Sequence, residues 1–236
     1  MNNDALGEAL KDYWFSEIRN QQIKITSDII DDDYMPVDVF FRTFEEMPQL
    51  EQQALNLARG KVLDIGAGAG CHLNFFKDLG VSAIGLDNSS GACEVMSNRD
   101  FSNIHDDIFT YQTNTRFDTI YLLMNGIGMC GTLQKLPEFL NKLTSLLTPD
   151  GQLIFDSSDV RYLYEDNDGS MLVNLNQQYY GDFWFTMHYK HIKSAPFQWS
   201  YIDFESVDSV AKQLGWKTTL LAEGEHYDYM AKLHFN

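Results

Sequence analysis

A glycine-rich turn that follows a short apolar run is the feature that most constrains the fold of this chain. Residues 62–65 (VLDI) are apolar except for one acid, and the turn GAGAG follows at 66–70. Residues 70–79 then place apolar side chains at helical spacing, up to Gly80. A strand that passes through glycines into a helix is typical of the first βαβ unit of a sheet that binds a nucleotide, because glycine lets the backbone approach a ligand closely.

The same alternation of strand and helix continues after this unit. Short apolar runs predict strands at 81–86, 117–124 and 152–155, helical spacing predicts helices at 89–97 and 133–147, and a turn is predicted at 148–151. Strands that alternate with helices of this length predict a parallel sheet with helices on both faces.

The segment before the glycine turn has a different pattern. Helical spacing predicts helices at 4–19, with Asp4 as N-cap, at 37–44 and at 48–60. We therefore expect residues 1–59 to form a helical N-terminal cap and residues 60–236 to form the main domain.

The last third of the chain is rich in aromatic residues and strand formers. They are dense at 179–204, which predicts a β-rich insertion at about 160–204. A helix at 206–214 and strands at 216–222 and 227–235 follow. The connection between these two strands is short, so the last strand should run antiparallel to its neighbour.

Composition narrows the classes of partner. The 236 residues contain 17 Lys+Arg and 34 Asp+Glu, for a net charge of −17. Binding to phosphate backbones needs clustered basic residues, so nucleic acid is a poor partner, and an anionic membrane surface is disfavoured for the same reason.

The chain also lacks the marks of secreted, metal-binding and membrane proteins. Its three cysteines are widely spaced and form no CxxC, so we expect neither a disulfide framework nor a metal site. There is no run of about 18 apolar residues, and the first residues carry acids where a signal peptide has basic residues. A cytoplasmic location is the expectation.

Two acids frame the glycine turn. Asp64 lies two residues before Gly66, and Asp87 ends the second predicted strand. A carboxylate at Asp64 would repel a pyrophosphate but suits a cationic ligand, and Asp87 can accept hydrogen bonds from both ribose hydroxyls. The alternatives are a strand-end acid for Asp64 and a helix N-cap for Asp87. Cys71 stands where a dinucleotide fingerprint has its third glycine, which disfavours a nicotinamide-dependent oxidoreductase.

With these motifs the chain resembles the class I S-adenosylmethionine-dependent methyltransferases. The matching motifs are VLDIGAGAG (62–70), AIGLD (83–87), HDDIF (105–109), FDTIYLLMNGIG (117–128) and LLTPDGQLIFD (146–156). In the last motif, Asp150 replaces the first of two usual glycines. The resemblance implies a Rossmann-like α/β fold with seven strands in the order 3-2-1-4-5-7-6, mostly parallel, with an antiparallel last strand.

The resemblance also implies S-adenosylmethionine as cofactor and assigns residues to its methionine end. These are the strand-end acid, the glycine turn and the two residues after the fourth strand, namely Asp64, Gly66, Ala67, Gly68, Gly70, Met124 and Asn125. In the N-terminal cap, Tyr34 and Arg42 are candidates to close over the cofactor, Arg42 by pairing with its carboxylate. The alternative for Arg42 is an exposed helix residue.

The resemblance assigns the nucleoside end to two other acidic segments. Asp87, with the neighbouring Asn88, would bind the ribose hydroxyls. Asp106 or Asp107 would accept a hydrogen bond from the adenine amine, beside the amide of Ile108, and the spacing does not decide between the two acids. His72 could approach the cofactor or face solvent.

The methyl acceptor is expected to be a small molecule bound between the cap and the insertion. Family members that methylate bases and glutamine carry an Asn/Asp-Pro-Pro-aromatic tetrad after the fourth strand, but residues 125–128 are Asn-Gly-Ile-Gly. His188 and His191 are candidate general bases, three apart on a predicted strand and therefore on opposite faces. The alternative is that both are structural.

Three other functions stay open at this stage. One is a transferase that uses decarboxylated S-adenosylmethionine, although the stretch after the fourth strand lacks the extra acids it would need. The second is the nicotinamide-dependent oxidoreductase, and the third is a module that binds S-adenosylmethionine without catalysis.

Replacing Asp87 by alanine should weaken cofactor binding by about 1–3 kcal/mol, because hydrogen bonds to a charged group are lost. Calorimetric titration with S-adenosylhomocysteine measures this change. Unchanged affinity would mean that Asp87 only caps a helix.

Overall fold

Two β-sheets organise the chain in a computed structural model that describes residues 3–164, 178–225 and 227–235. The helices are α1 (Ala5–Phe15), α2 (Gln49–Leu55), α3 (Cys71–Asp78), α4 (Ser90–Asn98), α5 (Leu136–Thr144) and α6 (Phe204–Gln213). The strands are β1 (Gln22–Ser27), β2 (Asp33–Pro36), β3 (Val62–Ile65), β4 (Ala83–Asp87), β5 (Asn103–His105), β6 (Phe117–Leu122), β7 (Leu147–Ser158), β8 (Asp182–Tyr189), β9 (Ile192–Lys193), β10 (Phe197–Ser200), β11 (Lys217–Glu223) and β12 (Asp228–His234).

The large sheet has seven strands in the order β11-β12-β7-β6-β3-β4-β5. All neighbours pair in parallel except β12, which is antiparallel to both β7 and β11. The predicted fold class is therefore confirmed, including the strand order and the antiparallel last strand. Every residue of β3 is buried, as expected for a central parallel strand covered on both faces. In the part of the chain that the structure describes, no helix is long and apolar enough to cross a membrane.

Three local predictions in this sheet need correction. The helix predicted at 133–147 is α5 alone, preceded by a 3₁₀ turn at Leu133–Lys135. The turn predicted at 148–151 lies within β7, where the register against β6 shifts. Strand β5 was not predicted, because three residues are too few to show a periodicity.

The expectation that residues 1–59 form a purely helical cap is wrong. Helix α1 begins after its Asp4 cap as predicted but ends at Phe15, and residues 22–27 and 33–36 are the strands β1 and β2. The helix predicted at 37–44 is replaced by two 3₁₀ turns, Val37–Phe41 and Phe44–Glu46. The sequence of β1, QIKITS, alternates apolar and polar residues, and a strand from elsewhere in the chain supplies its second partner.

That partner comes from the predicted insertion. Strand β8 pairs antiparallel with β1, and the small sheet has the order β10-β8-β1-β2 with β9 beside β8. The strands predicted in the insertion are present, while its residues 165–177 lie outside the described part. The N-terminal segment and the insertion thus contribute strands to one sheet.

The N-terminal segment is anchored to the large sheet by the close crossing of α1 and α4. One carboxylate oxygen of Asp4 accepts from the amide of Gly7 at 2.8 Å, and the other accepts from the Ser89 hydroxyl at 2.8 Å and the Gly91 amide at 3.1 Å. A Cβ on Gly91 would lie 2.5 Å from the Gly7 Cα, so the two backbones touch. Asp4 therefore satisfies amides at the start of both helices.

Replacing Gly91 by alanine should lower the free energy of unfolding by about 1–3 kcal/mol, because the added methyl meets backbone that cannot move aside. This loss is expected although alanine favours helix more than glycine does. Urea unfolding followed by circular dichroism measures the change.

Glu94→Ala, at an exposed position on the same helix, is the matched control and should stay within about 0.5 kcal/mol of the wild type. A Gly91→Ala variant as stable as this control would show that the crossing tolerates a side chain.

Candidate cofactor-binding site

The glycine turn has the backbone that its sequence predicts. Gly66, Gly68 and Gly70 have φ angles of +75°, +56° and +81°, which side chains rarely adopt. A Cβ on Gly68 would lie 2.8 Å from the ring of Phe40. The turn is therefore bare backbone covered by a residue of the N-terminal segment, and Ala67 between the glycines is buried.

Asp87 fastens this turn to the end of β4. Its Oδ2 accepts from the Gly68 amide and its Oδ1 from the Ser89 amide, both at 2.8 Å. Burial raises the pKa of Asp87 to about 6, although these two hydrogen bonds oppose the shift. The N-cap of α4 is Ser89, which accepts from the Ala92 amide, so the helix-cap alternative for Asp87 is wrong.

Asp64 belongs to a connected set of charged side chains. Its Oδ2 lies 3.2 Å from His72 Nδ1, and His72 Nε2 lies 3.4 Å from Glu51 Oε2. Glu51 in turn accepts from Arg42 Nη2 at 2.9 and 3.0 Å. His72 is 4% exposed, so it does not face solvent.

Arg42 is neither the exposed helix residue of the alternative nor fully paired. It is mostly buried beside Glu51, and within the described residues its Nε is buried and has no hydrogen-bond partner. Such an orphaned donor is rare in a folded protein and suits an acidic ligand group.

The residues after β6 adopt a strained turn beside Asp156, an acid near the end of β7. Met124 and Asn125 have φ angles of +61° and +57°, unusual for residues other than glycine. The Asn125 amide donates to Asp156 Oδ1 at 3.0 Å, and Ser158 donates to the Asn125 side chain at 3.1 Å. Burial raises the pKa of Asp156 to about 7, against the effect of the Asn125 hydrogen bond.

The acids assigned to the adenine amine lie in a turn after β5. Asp106 accepts through Oδ1 from the Asp107 amide at 2.8 Å, whereas the exposed Asp107 accepts from the Phe109 amide at 2.9 Å. Ile108, which follows the two acids, is buried, and the carbonyl of Asn88 accepts from His105 at 3.2 Å. Their binding roles stay predictions.

Three candidate residues, Tyr34, His188 and His191, lie in the small sheet or its turns and make none of the hydrogen bonds described above. Tyr34 is exposed on β2. His188 lies on β8 with its Nε2 3.1 Å from the Thr26 hydroxyl. His191 lies in the exposed turn before β9, so placing it on a strand opposite His188 was wrong. A catalytic role for either histidine stays a prediction.

Sequence reasoning missed Glu51 and Asp156. A glutamate within a short helix looks like a surface acid, and nothing local marks Glu51 as buried. Asp156 carried a usable signal, because an acid that follows the apolar run LIF sits at the end of a buried strand.

Comparisons with known proteins agree with this geometry. A family model described as methyltransferase domain matches residues 41–221. The crystal structure of an S-adenosylmethionine-dependent methyltransferase from Bacteroides fragilis, in complex with S-adenosyl-L-homocysteine, is 39% identical, with a TM-score of 0.92 over 99% of this chain and 95% of that one. No curated protein matches the chain.

More distant structures share the fold. A protein from Pyrococcus horikoshii is 18% identical, with a TM-score of 0.60 over 79% of this chain and 88% of that one. CalS10, an amino pentose methyltransferase from Micromonospora echinaspora, is 14% identical, with a TM-score of 0.57 over 88% of this chain and 100% of that one.

The chain belongs to the S-adenosylmethionine-dependent methyltransferases, with S-adenosylmethionine as cofactor. The residues present fit that cofactor. Buried Asp64 is suited to an ammonium, Asp87 at the end of β4 to ribose hydroxyls, and the orphaned Nε of Arg42 to a carboxylate.

Asp156→Asn should stabilise the cofactor-free protein at alkaline pH. In the folded protein the pKa is about 7, above its usual 3.8. The folded state therefore binds the proton more tightly than the unfolded chain, and stability falls as pH rises through this window. Between pH 4 and pH 8 the free energy of unfolding of the variant should rise by about 1–3 kcal/mol relative to that of the wild type. The Asp156 side chain is partly exposed, so water reduces the effect toward the low end of this range.

Urea unfolding of both proteins at several pH values measures this difference. Asp150→Asn, at an exposed position on the same strand, is the control and should show no such trend. A difference between Asp156→Asn and the wild type that does not change with pH would contradict the prediction.

Proposed function

We propose that this methyltransferase acts on a small molecule. The observation that carries the proposal is the small sheet, which packs on the segment directly after β6. A Cβ on Gly128 would lie 2.3 Å from the indole Nε1 of Trp199 on β10, and the Leu133 amide donates to Asp182 on β8 at 3.0 Å. In the family resemblance, the acceptor approaches at this end of the strand.

The N-terminal segment packs against the glycine turn and against β8. Phe40, next to the glycine turn, belongs to one apolar cluster with Ala69, Tyr189 and the partly buried Met124 and Met187. This cluster ties the cap, the turn and β8 together. A site lined by the N-terminal segment and the small sheet suits an acceptor of a few hundred daltons better than a folded polymer.

Charge and sequence support the same acceptor class. With a net charge of −17, the protein offers no general attraction to phosphate backbones or to anionic lipid surfaces. The stretch after β6, Asn-Gly-Ile-Gly, lacks the prolines and the aromatic residue of the base-methylating tetrad. The proposal therefore includes neither nucleic acid nor membrane as partner, and a cytoplasmic location stays an expectation from the sequence.

The chain's contribution to the chemistry would be alignment, exclusion of water and proton transfer. S-adenosylmethionine supplies a methyl group on a positively charged sulfur. The strained turn at Met124 and Asn125 would hold the methionine end of the cofactor, so that the methyl group is aligned with the acceptor. Asp156, with a pKa of about 7, is well matched to taking a proton from a hydroxyl or ammonium acceptor at neutral pH. His188 and His191 are the alternatives for that role.

A panel of small amines, alcohols, thiols and carboxylic acids tests the acceptor class, with release of S-adenosylhomocysteine as the readout. At least one small acceptor should increase the release above the rate without acceptor, whereas duplex DNA, RNA and unfolded protein should not. The Asp64→Asn variant is the negative control and should show no release of S-adenosylhomocysteine that depends on the acceptor. Turnover with a polymer alone would overturn the proposal, and so would tight binding of S-adenosylhomocysteine without turnover of any small acceptor.

A further inference from the structure

A row of four charged side chains runs from the N-terminal segment to the end of β3. Arg42 donates to Glu51, Glu51 faces His72 Nε2, and His72 Nδ1 faces Asp64. Glu51, His72 and Asp64 are 6%, 4% and 1% exposed. Charges so far from water must be matched by partners, and the row alternates in sign when His72 carries a proton.

The positions of the two carboxylates indicate the charged form of His72. A neutral imidazole has one N–H, so one of its nitrogens would turn a lone pair toward a carboxylate oxygen, whereas an imidazolium donates to both. Burial lowers the pKa of His72, but the nearby Cys71 and Asp64 raise it by more, and the pKa lies well above its usual value. The groups that face the ring are Asp64, Glu51 and Cys71, and Asp156 near the end of β7 also interacts with its charge.

We propose that His72 is a positioning residue for methyl transfer, an imidazolium that fixes the Asp64 carboxylate where it meets the ammonium of the cofactor. Asp64 has one oxygen on His72, so the direction of the carboxylate depends on the ring. Without His72, this buried carboxylate would lose its donor and its nearest counter-charge. The proposal rests on the cofactor and not on the acceptor, so binding measurements test it independently of the acceptor screen.

Two substitutions separate positioning from folding. His72→Phe keeps a planar ring but removes both donors, and it should weaken binding of S-adenosylhomocysteine by about 10- to 100-fold, the range for hydrogen bonds to charged groups. His72→Asn can keep a donor toward Asp64 and should recover part of that loss. For both variants the KM for S-adenosylmethionine should rise, while kcat at saturation changes less. Asp78→Asn, exposed at the far end of the same helix, should bind like the wild type.

Nuclear magnetic resonance of protein with ¹⁵N-labelled histidine gives a readout that does not need turnover. The signal that disappears in His72→Asn identifies His72. Both of its ring nitrogens should be protonated at pH 7.5 in the cofactor-free protein. Saturating S-adenosylhomocysteine should lower the pKa of His72, because an ammonium beside Asp64 competes for the same negative charge. His234 on β12 serves as an internal control and should not shift.

Three results would overturn the proposal. One is a His72→Phe protein that folds like the wild type and binds S-adenosylhomocysteine within twofold of it. The second is a neutral His72 at pH 7.5 in the wild type. The third is a His72 titration that saturating S-adenosylhomocysteine leaves unchanged. The last two use the wild-type protein and hold even where a variant fails to fold.

Discussion

Buried carboxylates at one edge of the large sheet are the constraint on which the rest of this structure depends. Asp64, Asp87 and Asp156 lie within the last three residues of β3, β4 and β7, and burial raises the pKa of Asp87 and Asp156. Each acid is held by a specific donor: His72 for Asp64, backbone amides for the others. In the proposed cofactor site, a cationic methionine end would offset this buried negative charge, which the protein must otherwise stabilise by itself.

This constraint explains why the N-terminal segment is part of the site. Glu51 and Arg42 come from that segment and continue the alternation of charge that starts at Asp64. Phe40 covers Gly68, and Asp4 joins the first turns of α1 and α4. The N-terminal segment is therefore held in two places, by the Glu51–His72 contact beside Asp64 and by the backbone contact where α1 crosses α4.

The small sheet extends the same coupling to the turn that contains Gly128. Strand β8 hydrogen-bonds to β1, while β10 lies against the turn that contains Gly128. The cap and the insertion cannot move independently while the β1–β8 ladder is intact. A change at the turn that contains Gly128 is thus connected through one sheet to the residues that cover the glycine turn.

The elements from β3 to α4 and the paired strands β11 and β12 could be predicted from the sequence, because the hydrophobic period and the turn residues lie within each segment. The same local logic identified Asp64, Asp87 and the glycines. It failed for β1 and β2, whose short runs lie between helical patterns, and for β5, which has only three residues.

By itself the sequence determined the parallel sheet, the glycine turn and the class of cofactor, because each is indicated by residues that are close together along the chain. Only the tertiary structure decided which distant groups meet. His72 lies within hydrogen-bond distance of Glu51, which is 21 residues away in sequence, and Thr26 contacts His188, which is 162 residues away. Such pairs follow from how whole elements pack, and a glutamate in a short helix has the same local sequence whether it faces water or a buried imidazolium.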